Sequence, residues 1–553
     1  MASSASSSSE TNRGFLGRVA RALRPSHQHS AFSATLLLMG SVMLARVIGY
    51  LREMYVAWAF GAGPKTDAYV AAFQIPDYLF YLLAGGTTSI TFIAIYTRHT
   101  SRGEDEKAQA AFNTTVTIMT VIALVGTVLV EIFTPQIAGL IFPKFTAQQM
   151  DLCVYLTRIL LPGQIFFYAG GIVSAVLLSR RMFLYPALGP VFYGSSIILG
   201  GLLGAHRFGI AALAYGALVG SFLGPFLINS IGAAKAGLRY QWNFDFANAE
   251  FREWVKLSIP LMLGVSLVSA DDWILRYFAS GGAGEISRLN YAKRLFALPI
   301  SILGQAAGQA SMPFFAHLFG EGKRQEFAES VNQSVYRVGS AALLATALMV
   351  TAARPLVDLA FHRGRFNLQD AQSTAMYFGW FSLSLALWSA QALYARAFYA
   401  AGNTMTPMVA STLIAVASLP VYATMFRRYD FTGLAMASDL GILLHTVVIA
   451  WLLSRRGLVP LAELPWGELA KVLLTAALAG LACYAVSQRV ASGNWRSDLR
   501  ALTAIGGTWL AVVTAGLWLT RSRLWSELRR GRTPAAIPEP QPIIERTEGG
   551  VEP

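Results

Sequence analysis

The chain has 553 residues, of which 54% are hydrophobic and 13% are charged, and its mean hydropathy is +0.48. Soluble proteins carry about 25% charged residues, so this composition excludes an ordinary soluble globule and predicts a protein surrounded mainly by lipid. The net charge of +14 does not indicate nucleic-acid binding, because the basic residues fall in short groups between apolar runs. Cys153 and Cys483 lie inside apolar runs, so we expect neither a disulfide framework nor a cysteine metal site.

The two ends of the chain differ in composition from the rest. Residues 1–12 are rich in Ser and residues 533–553 are rich in Pro and Glu, which predicts disorder. Residues 14–26 (GFLGRVARALRPS) place arginines opposite apolar side chains at helical spacing, which is consistent with either a helix on an anionic membrane surface or a flexible basic arm. We therefore expect a disordered or amphipathic cytoplasmic N-terminus over 1–30 and a basic, then disordered, cytoplasmic tail over 521–553.

Fourteen apolar runs follow the N-terminal segment, and each is long enough to cross a bilayer, which takes about 20 residues. They lie near residues 32–58, 68–97, 111–134, 152–179, 185–204, 209–232, 255–279, 289–318, 335–361, 371–401, 409–426, 431–453, 467–488 and 501–520. Several runs contain Pro or Gly, such as Pro76 with Gly85 and Gly86, and such broken helices hint at a transport pathway. The larger share of Lys and Arg falls on the side of the N-terminus, so both termini are predicted to be cytoplasmic.

The chain also repeats itself at a period of about 220 residues. Residues 134–145 (TPQIAGLIFPKF) align with 354–366 (RPLVDLAFHRGRF), 92–115 align with 312–334, and 209–220 align with 433–444. Chance similarity among apolar segments is the alternative, but the agreement extends into polar loops. The repeat predicts an all-α integral membrane protein of about 14 transmembrane helices, with parallel six-helix bundles at 31–240 and 250–457 and two extra helices at 465–520. We expect a substrate cavity between the bundles.

The first run carries charges at membrane depth, where each charge costs about 2.5–3.5 kcal/mol. Arg46, Gly49 and Glu53 share one helical face, and Arg52 lies beside them. Arginine pairs with phosphate in a bidentate manner, so Arg46 and Arg52 suit a substrate that carries a pyrophosphate. A structural Arg–Glu pair between helices is the alternative.

The eighth run begins with Lys293 and Arg294, above a polar stripe that includes Gln305. These two cations would provide a second anion ligand from the other bundle, unless they only reach out to the headgroups from a helix end. The seventh run contains Asp271 and Asp272, which either pair with Arg276 one turn further on or form a cation or proton site.

Asp439 in the twelfth run is a similar but solitary acidic residue. No HExxH, GxSxG or P-loop motif is present, so we expect a transport protein rather than an enzyme, without a cofactor. Such a transporter would depend on Na+, H+ or the membrane potential, and the sequence leaves open whether a metal binds.

Several segments resemble the MurJ (MviN) lipid II flippases of the multidrug/oligosaccharidyl-lipid/polysaccharide exporter superfamily. They are ARVIGYLREMYVAWAFGAGPKTDAYVAAFQIPDYL (45–79), LNYAKRLFALPISILGQA (289–306), FHRGRFNLQDAQSTA (361–375) and ARAFYAAGNTMTP (395–407). The resemblance covers about residues 30–520. It implies export of lipid II, the undecaprenyl-pyrophosphate-linked precursor of peptidoglycan, across the bacterial inner membrane by alternating access. Membrane lipids and cell-wall synthesis proteins are the further partners that it implies.

The resemblance also implies roles for particular residues. The cavity arginines of the family correspond to Arg46, Arg52 and Arg294, and its acidic residue after the FGAG turn corresponds to Asp67. The chain departs from the family where an Arg pair and an acid are replaced by Phe80, Tyr81 and Gly85, where Lys293 replaces an acid, and where Ala297 replaces Glu or Gln. A different polyprenyl-linked saccharide and a MATE-like, cation-coupled drug antiporter therefore remain alternative functions, and a non-transporting scaffold is disfavoured by the buried charges.

Overall fold

The structure is a computed structural model that describes residues 31–84, 88–263, 267–490 and 493–529. Within these ranges the chain forms helices joined by turns and loops, and it forms no β-strand there. The predictions for residues 1–30, for Gly85 and Gly86, and for the tail beyond residue 529 lie outside the described residues.

The first half of the chain contains ten α-helices among its described residues, with a π-helical segment, Phe222–Ile228, between the last two. They are α1 (Ala31–Phe60), α2 (Pro64–Ala72), α3 (Gln74–Ala84), α4 (Thr88–Ser101), α5 (Asp105–Ile141), α6 (Ala147–Leu160), α7 (Gly163–Ser179), α8 (Leu184–Phe208), α9 (Ala211–Ser221) and α10 (Asn229–Lys235).

The second half follows with a π-helical segment, Ile300–Ala306, and a short 3-10 turn, Leu461–Glu463. Its α-helices are α11 (Ala249–Leu263), α12 (Leu267–Ala279), α13 (Glu285–Pro299), α14 (Ala307–Gly320), α15 (Arg324–Thr351), α16 (Ala353–Phe361), α17 (Leu368–Leu383), α18 (Leu385–Ala400), α19 (Met405–Arg455), α20 (Trp466–Ser487), α21 (Trp495–Leu519) and α22 (Arg523–Arg529).

Eight helical stretches in the described part of the chain are long and apolar enough to cross a membrane. They are Asp105–Ile141, Ala147–Ser179, Leu184–Phe208, Ala211–Lys235, Arg324–Thr351, Met405–Arg455, Trp466–Ser487 and Trp495–Leu519. The prediction of an all-α, multi-pass membrane protein is confirmed. The count of fourteen spans stays a prediction, because several other apolar runs are divided into shorter helices, as 68–97 is into α2, α3 and α4.

The 51-residue helix α19 contains two of the predicted spans, and it is not straight. Asp430 has a φ of 54°, and a Cβ atom on Gly433 would lie 2.1 Å from the carbonyl oxygen of Met425. Residues eight apart in a continuous helix are separated by about 12 Å, so the chain must turn back on itself here. The two predicted runs, 409–426 and 431–453, are therefore two helices joined by a tight turn.

The long-range repeat is visible in how equivalent helices begin. Thr146 caps α6 in a capping box with Gln149, and Asn367 caps α17 in the same way with Asp370. In each case a side-chain oxygen satisfies a free backbone N–H in the first turn, which fixes where the helix starts. These caps lie one repeat period apart, so the two halves start equivalent helices with the same local interaction.

Apolar packing joins the halves and attaches the C-terminal helices. The largest buried cluster includes Val56 and Leu213 from the first half together with Phe361 and Leu434 from the second. Helices α20 and α21 pack on α15 through a separate apolar cluster. Helix α11 packs on the first half, where its Trp254 is buried, whereas α12 packs on α19 in the second half.

Candidate functional site

A central cavity of about 710 Å³ lies between the two halves. It is lined on one side by α1, α7 and α8 and on the other by α13 and the π-helical segment that follows it. A second cavity, of about 290 Å³, extends from it into the second half. Arg294, Ala297 and Gln305 line both, so the two cavities form one continuous space at α13.

The predicted charged face of α1 lines the central cavity. Arg46, Gly49 and Glu53 all contribute to its wall, as does Tyr50, whose hydroxyl donates a 2.6 Å hydrogen bond to the carbonyl of Arg294. Spacings of three and four place these residues on one side of the helix. The hydrogen bond from Tyr50 links α1 directly to α13, so it joins the two halves at the cavity wall.

Arg52, Glu53 and Arg294 form a charged group across the cavity. Arg52 Nη2 lies 2.7 Å from Glu53 Oε1, and Arg294 Nε lies 3.6 Å from the same oxygen. Glu53 is 7% exposed, whereas the side chain of Arg294 is 51% exposed. Glu53 therefore holds Arg52 firmly and Arg294 only loosely, which leaves the guanidinium of Arg294 accessible from the cavity.

The charges in the central cavity favour an anion. Arg46 is exposed to the cavity and has no ion pair within the described part of the chain. Three arginines against one glutamate leave an excess of positive charge, and both accessible arginines present planar, bidentate donors. This arrangement is suited to a dianionic diphosphate group.

Lys293 does not contact the central cavity. Its ammonium donates to the carboxylates of both Asp271 and Asp272, the latter at 2.5 Å, and Asp271 also accepts a hydrogen bond from the Tyr422 hydroxyl. The expected pairing of these acids with Arg276 is therefore replaced by pairing with Lys293. Lys293 lines the second cavity, and its charge is already paired with two carboxylates there, so its role as an anion ligand stays a prediction.

Asp67 is also placed differently from the expectation of a substrate-binding role. It is fully buried and lines neither cavity. Its Oδ2 accepts a hydrogen bond from Gly284 N at 2.5 Å, and its Oδ1 accepts from Ser287 N at 2.8 Å and Ser287 Oγ at 2.6 Å. Asp67 therefore caps the first turn of α13 from the other half.

Further contacts close the same end of the cavity. Arg365 N donates to the carbonyl of Trp58 at 2.9 Å, so the loop after α16 packs on the last turn of α1. Arg288 lies between Glu285 and Asp370, at 2.5 and 2.8 Å, next to the cap that Asp67 makes. The cavity is thus sealed beyond Glu53 and extends towards Ser41, near the start of α1.

Sequence analysis missed an aromatic contact between the halves. Trp273 on α12 lies edge-on to Tyr78 and Tyr81 on α3, with ring centroids 4.3 and 5.8 Å apart. Tyr81 occupies one of the positions where the family resemblance implies arginine. The cluster of aromatic residues at 78, 80 and 81 on α3 was the available signal, but only the fold shows their partner.

The described residues contain no group of three or more His, Cys, Asp or Glu side chains arranged to hold a metal ion. Cys153 and Cys483 are both buried and unpaired with each other.

Comparison with known proteins identifies the family. The family profile "Lipid II flippase MurJ" matches residues 56–500. The chain is 24% identical over 429 residues to the "Probable lipid II flippase MurJ" of Bdellovibrio bacteriovorus, which covers 76% of this chain and 81% of that protein. It is 26% identical over 447 residues to the "Lipid II flippase MurJ" of Burkholderia cenocepacia, which covers 77% of this chain and 84% of that protein.

Solved structures share the fold. A structure described as "Lipid II flippase MurJ, inward closed conformation" superposes with a TM-score of 0.73 at 19% identity, covering 88% of this chain and 100% of that one. An inward-facing multidrug resistance MATE family transporter of the MOP superfamily superposes with a TM-score of 0.61 at 14% identity, covering 76% of this chain and 98% of that one. From the match over residues 56–500, the chain belongs to the MurJ family of lipid II flippases.

Proposed function

We propose that this protein moves lipid II from the inner to the outer leaflet of the bacterial cytoplasmic membrane by alternating access. The observation that carries the proposal is the cavity between the halves, where Arg46 and Arg294 are accessible and Glu53 is largely held by Arg52. Buried positive charge is costly in a membrane and is expected only where an anionic cargo compensates it. Membership of the MurJ family supports lipid II as that cargo.

In this mechanism the diphosphate of the substrate binds between Arg46 on α1 and Arg294 on α13. Because Arg294 lies 3.6 Å from Glu53, the diphosphate replaces a weak ion pair rather than a strong one. Arg52 stays with Glu53 and keeps the carboxylate away from the phosphate. The sugar and peptide groups occupy the water-filled cavity, and the isoprenoid chain remains in the lipid.

The closed end of the cavity defines the state of the transporter. With both termini in the cytoplasm, as the distribution of Lys and Arg favours, the cavity extends towards the cytoplasmic side and is sealed on the outer side. Release to the outer leaflet then requires separation of Asp67 from α13 and of Arg365 from Trp58. Movement of one half against the other achieves this without unfolding either half.

The energy source is also part of the proposal. No ATP-binding motif occurs in the sequence, so transport would draw on Na+, H+ or the membrane potential. Asp271 and Asp272 remain candidates for coupling, with the ammonium of Lys293 acting as a built-in counter-ion between them. Cell-wall synthesis proteins are the partners expected to use the exported lipid II.

A second candidate substrate is another polyprenyl-diphosphate saccharide. It is favoured by the aromatic contacts of Phe80 with Phe167 and of Tyr81 with Trp273, at positions where the resemblance implies arginines. The diphosphate site would be unchanged, whereas these positions would lack the positive charge that the resemblance implies for them. A cation-coupled drug antiporter fits less well, because an excess of arginines in the cavity disfavours the cationic drugs that such proteins export.

The deciding experiment replaces the resident lipid II flippase of a bacterium with this chain. On depletion of the resident protein, we expect growth to continue and lipid II to become accessible at the outer surface. A chain that inserts normally but restores neither would contradict the lipid II assignment and leave the second candidate. A variant with a substitution in the central cavity is tested in parallel at equal protein level. Loss of rescue in this variant shows that the rescue comes from transport.

A further inference from the structure

A third cavity lies entirely within the first half of the chain. It has a volume of about 230 Å³ and is lined by residues of α3, α7, α8 and α9. Its polar lining consists of Asp77, Gln164, Tyr193 and Ser221, and aromatic side chains such as Phe80 and Phe167 cover the rest. It shares no lining residue with the central cavity, so it needs a separate explanation.

Asp77 is the charged group of this cavity. Its side chain is open to the cavity, and its carboxylate has no ion pair or hydrogen bond within the described ranges of the chain. The positive charges that act on it are those of Arg276 and Arg294, which belong to the other half and make no salt bridge with it. By contrast, Asp271 is directly paired with Lys293. An unpaired carboxylate at membrane depth is costly unless a cation compensates it.

The other polar groups provide neutral oxygen atoms around Asp77. Gln164 is 7% exposed, and its Oε1 has no hydrogen-bond partner in the described part of the chain. The Ser221 hydroxyl donates to the carbonyl of Leu218, which leaves its oxygen able to accept. A Cβ atom on residue 163 would lie 2.9 Å from Ser221 Oγ, so glycine at this position keeps the hydroxyl accessible. Tyr193 lines the same cavity.

We propose that this cavity binds a sodium ion, with Asp77 as the charged ligand and Gln164 as a neutral one. Carboxylate, amide and hydroxyl oxygens are hard donors that suit hard cations rather than transition metals. A single carboxylate balances one positive charge, which favours a monovalent ion over Ca²⁺ or Mg²⁺. The acidic pair in the second half already has Lys293 as its counter-ion, whereas Asp77 has no counter-ion in the described part of the chain.

Sodium and substrate binding would be coupled through Arg294, a step that rests on the proposed function. The positive charge of Arg294 acts electrostatically on Asp77 without forming a salt bridge, and Arg294 also lines the central cavity. When the diphosphate neutralises Arg294, the negative charge of Asp77 loses part of its compensation. Sodium binding is then more favourable, and by linkage sodium also strengthens diphosphate binding.

The test measures binding of ²²Na+ to the purified full-length protein in the absence of any lipid substrate. We expect saturable binding that excess unlabelled Na+ abolishes and choline does not. Asp77→Asn should weaken binding at least tenfold and Gln164→Leu should weaken it several-fold. Asp105→Asn, at an exposed residue that lines none of the three cavities, should leave it unchanged. Circular dichroism and gel filtration show whether each variant is folded.

The absence of saturable binding in the wild-type protein would overturn the proposal. So would binding that survives Asp77→Asn but is lost in Asp271→Asn, because the ion would then lie in the second half. If Asp77→Asn does not fold, Gln164→Leu decides, and unchanged affinity in that variant contradicts the site. Sodium binding without rescue in the depletion strain would retain this site and contradict only the proposed function.

Discussion

Asp67 and Ser287 are separated by 220 residues, which is the repeat period, and they are hydrogen-bonded to each other. Asp67 lies in the first turn of α2, and Ser287 lies in the first turn of α13. Two equivalent positions of a repeat can touch only near the symmetry axis that relates the halves. The closed end of the cavity is therefore formed around the axis itself, where equivalent parts of the two halves meet.

The first prediction concerns this contact. Asp67→Ala removes three hydrogen bonds and leaves the N–H groups of Gly284 and Ser287 without their partner, at a cost of about 1–3 kcal/mol. We expect the closed end to separate more often. Nitroxide labels on Lys65→Cys and Arg363→Cys, after replacement of Cys153 and Cys483 by alanine, should show longer distances in double electron–electron resonance.

The control for this experiment is Asp105→Ala, which removes an exposed acidic residue at the start of α5. It should leave the label distances unchanged. If Asp67→Ala and Asp105→Ala give the same distance distribution as the parent, the cap on α13 does not hold the halves together.

The second prediction concerns the diphosphate site. Arg46→Ala and Arg294→Ala should each reduce lipid II exposure at the cell surface by about 10-fold or more, because a charge-assisted hydrogen bond contributes roughly 1.5–3 kcal/mol. Arg294→Lys should restore little, since lysine cannot form the bidentate contact. The measurement is surface-accessible lipid II after depletion of the resident flippase, normalised to the amount of inserted protein.

Arg102→Ala is the matched control, because Arg102 is an exposed arginine on the turn before α5 and lines neither cavity. Its activity should equal that of the parent. Full activity in both Arg46→Ala and Arg294→Ala would show that the phosphate does not bind at this position.

The third prediction separates two roles for Lys293. As a counter-ion, Lys293 is needed for stability, and Lys293→Met should destabilise the protein by about 3 kcal/mol because Asp271 is left buried and uncompensated. The double variant Lys293→Met/Asp271→Asn should be more stable than Lys293→Met alone. Thermal unfolding of the four proteins measures this coupling.

Strictly additive losses in that cycle would contradict the counter-ion role. If Lys293→Met instead keeps normal stability but loses transport, the lysine contacts the headgroup in another state of the cycle. The earlier expectation of a headgroup contact would then apply to that state.

The charged face of α1 could be predicted from the sequence because helical periodicity alone determines it. Arg46, Gly49 and Glu53 recur at spacings of three and four, so any helix over this run places them together. The sequence left open whether Lys293 and Arg294 face them from the other bundle or reach out to the headgroups, and the family resemblance implied a cavity position for Arg294. Its 3.6 Å contact with Glu53 depends on how the two halves pack, which local spacing does not define.

Several acidic residues have contacts that spacing along the sequence does not determine. Asp272 and Arg276 are one turn apart on α12, so local spacing suggested that they pair, but Lys293 reaches the same carboxylates from α13. The family resemblance implied a substrate-binding role for Asp67, yet its hydrogen-bond partners come from the start of α13 in the other half. Asp77 and Gln164 gave no signal, since only the fold brings α3 and α7 around one cavity.

The fourth prediction concerns the pH dependence of the stability that an ion pair between Arg98 and Glu253 provides. Arg98 at the end of α4 donates two hydrogen bonds to Glu253 on α11, at 2.9 and 2.5 Å. These bonds hold the pKa of Glu253 below its ordinary value of 4.5, with a smaller contribution from His99. Because the folded-state pKa is lowered, the stabilisation is present above pH 4.5 and is lost as the pH falls below it.

The pair is partly exposed, so its contribution should be at most about 1 kcal/mol. Glu253→Gln should therefore lower the unfolding temperature slightly at pH 7, and the difference from the parent should vanish near pH 3. Glu106→Gln, an exposed residue without an ion pair in the described part of the chain, should show no difference at either pH. A difference that persists at low pH would mean that Glu253 acts through packing of α11 rather than through its charge.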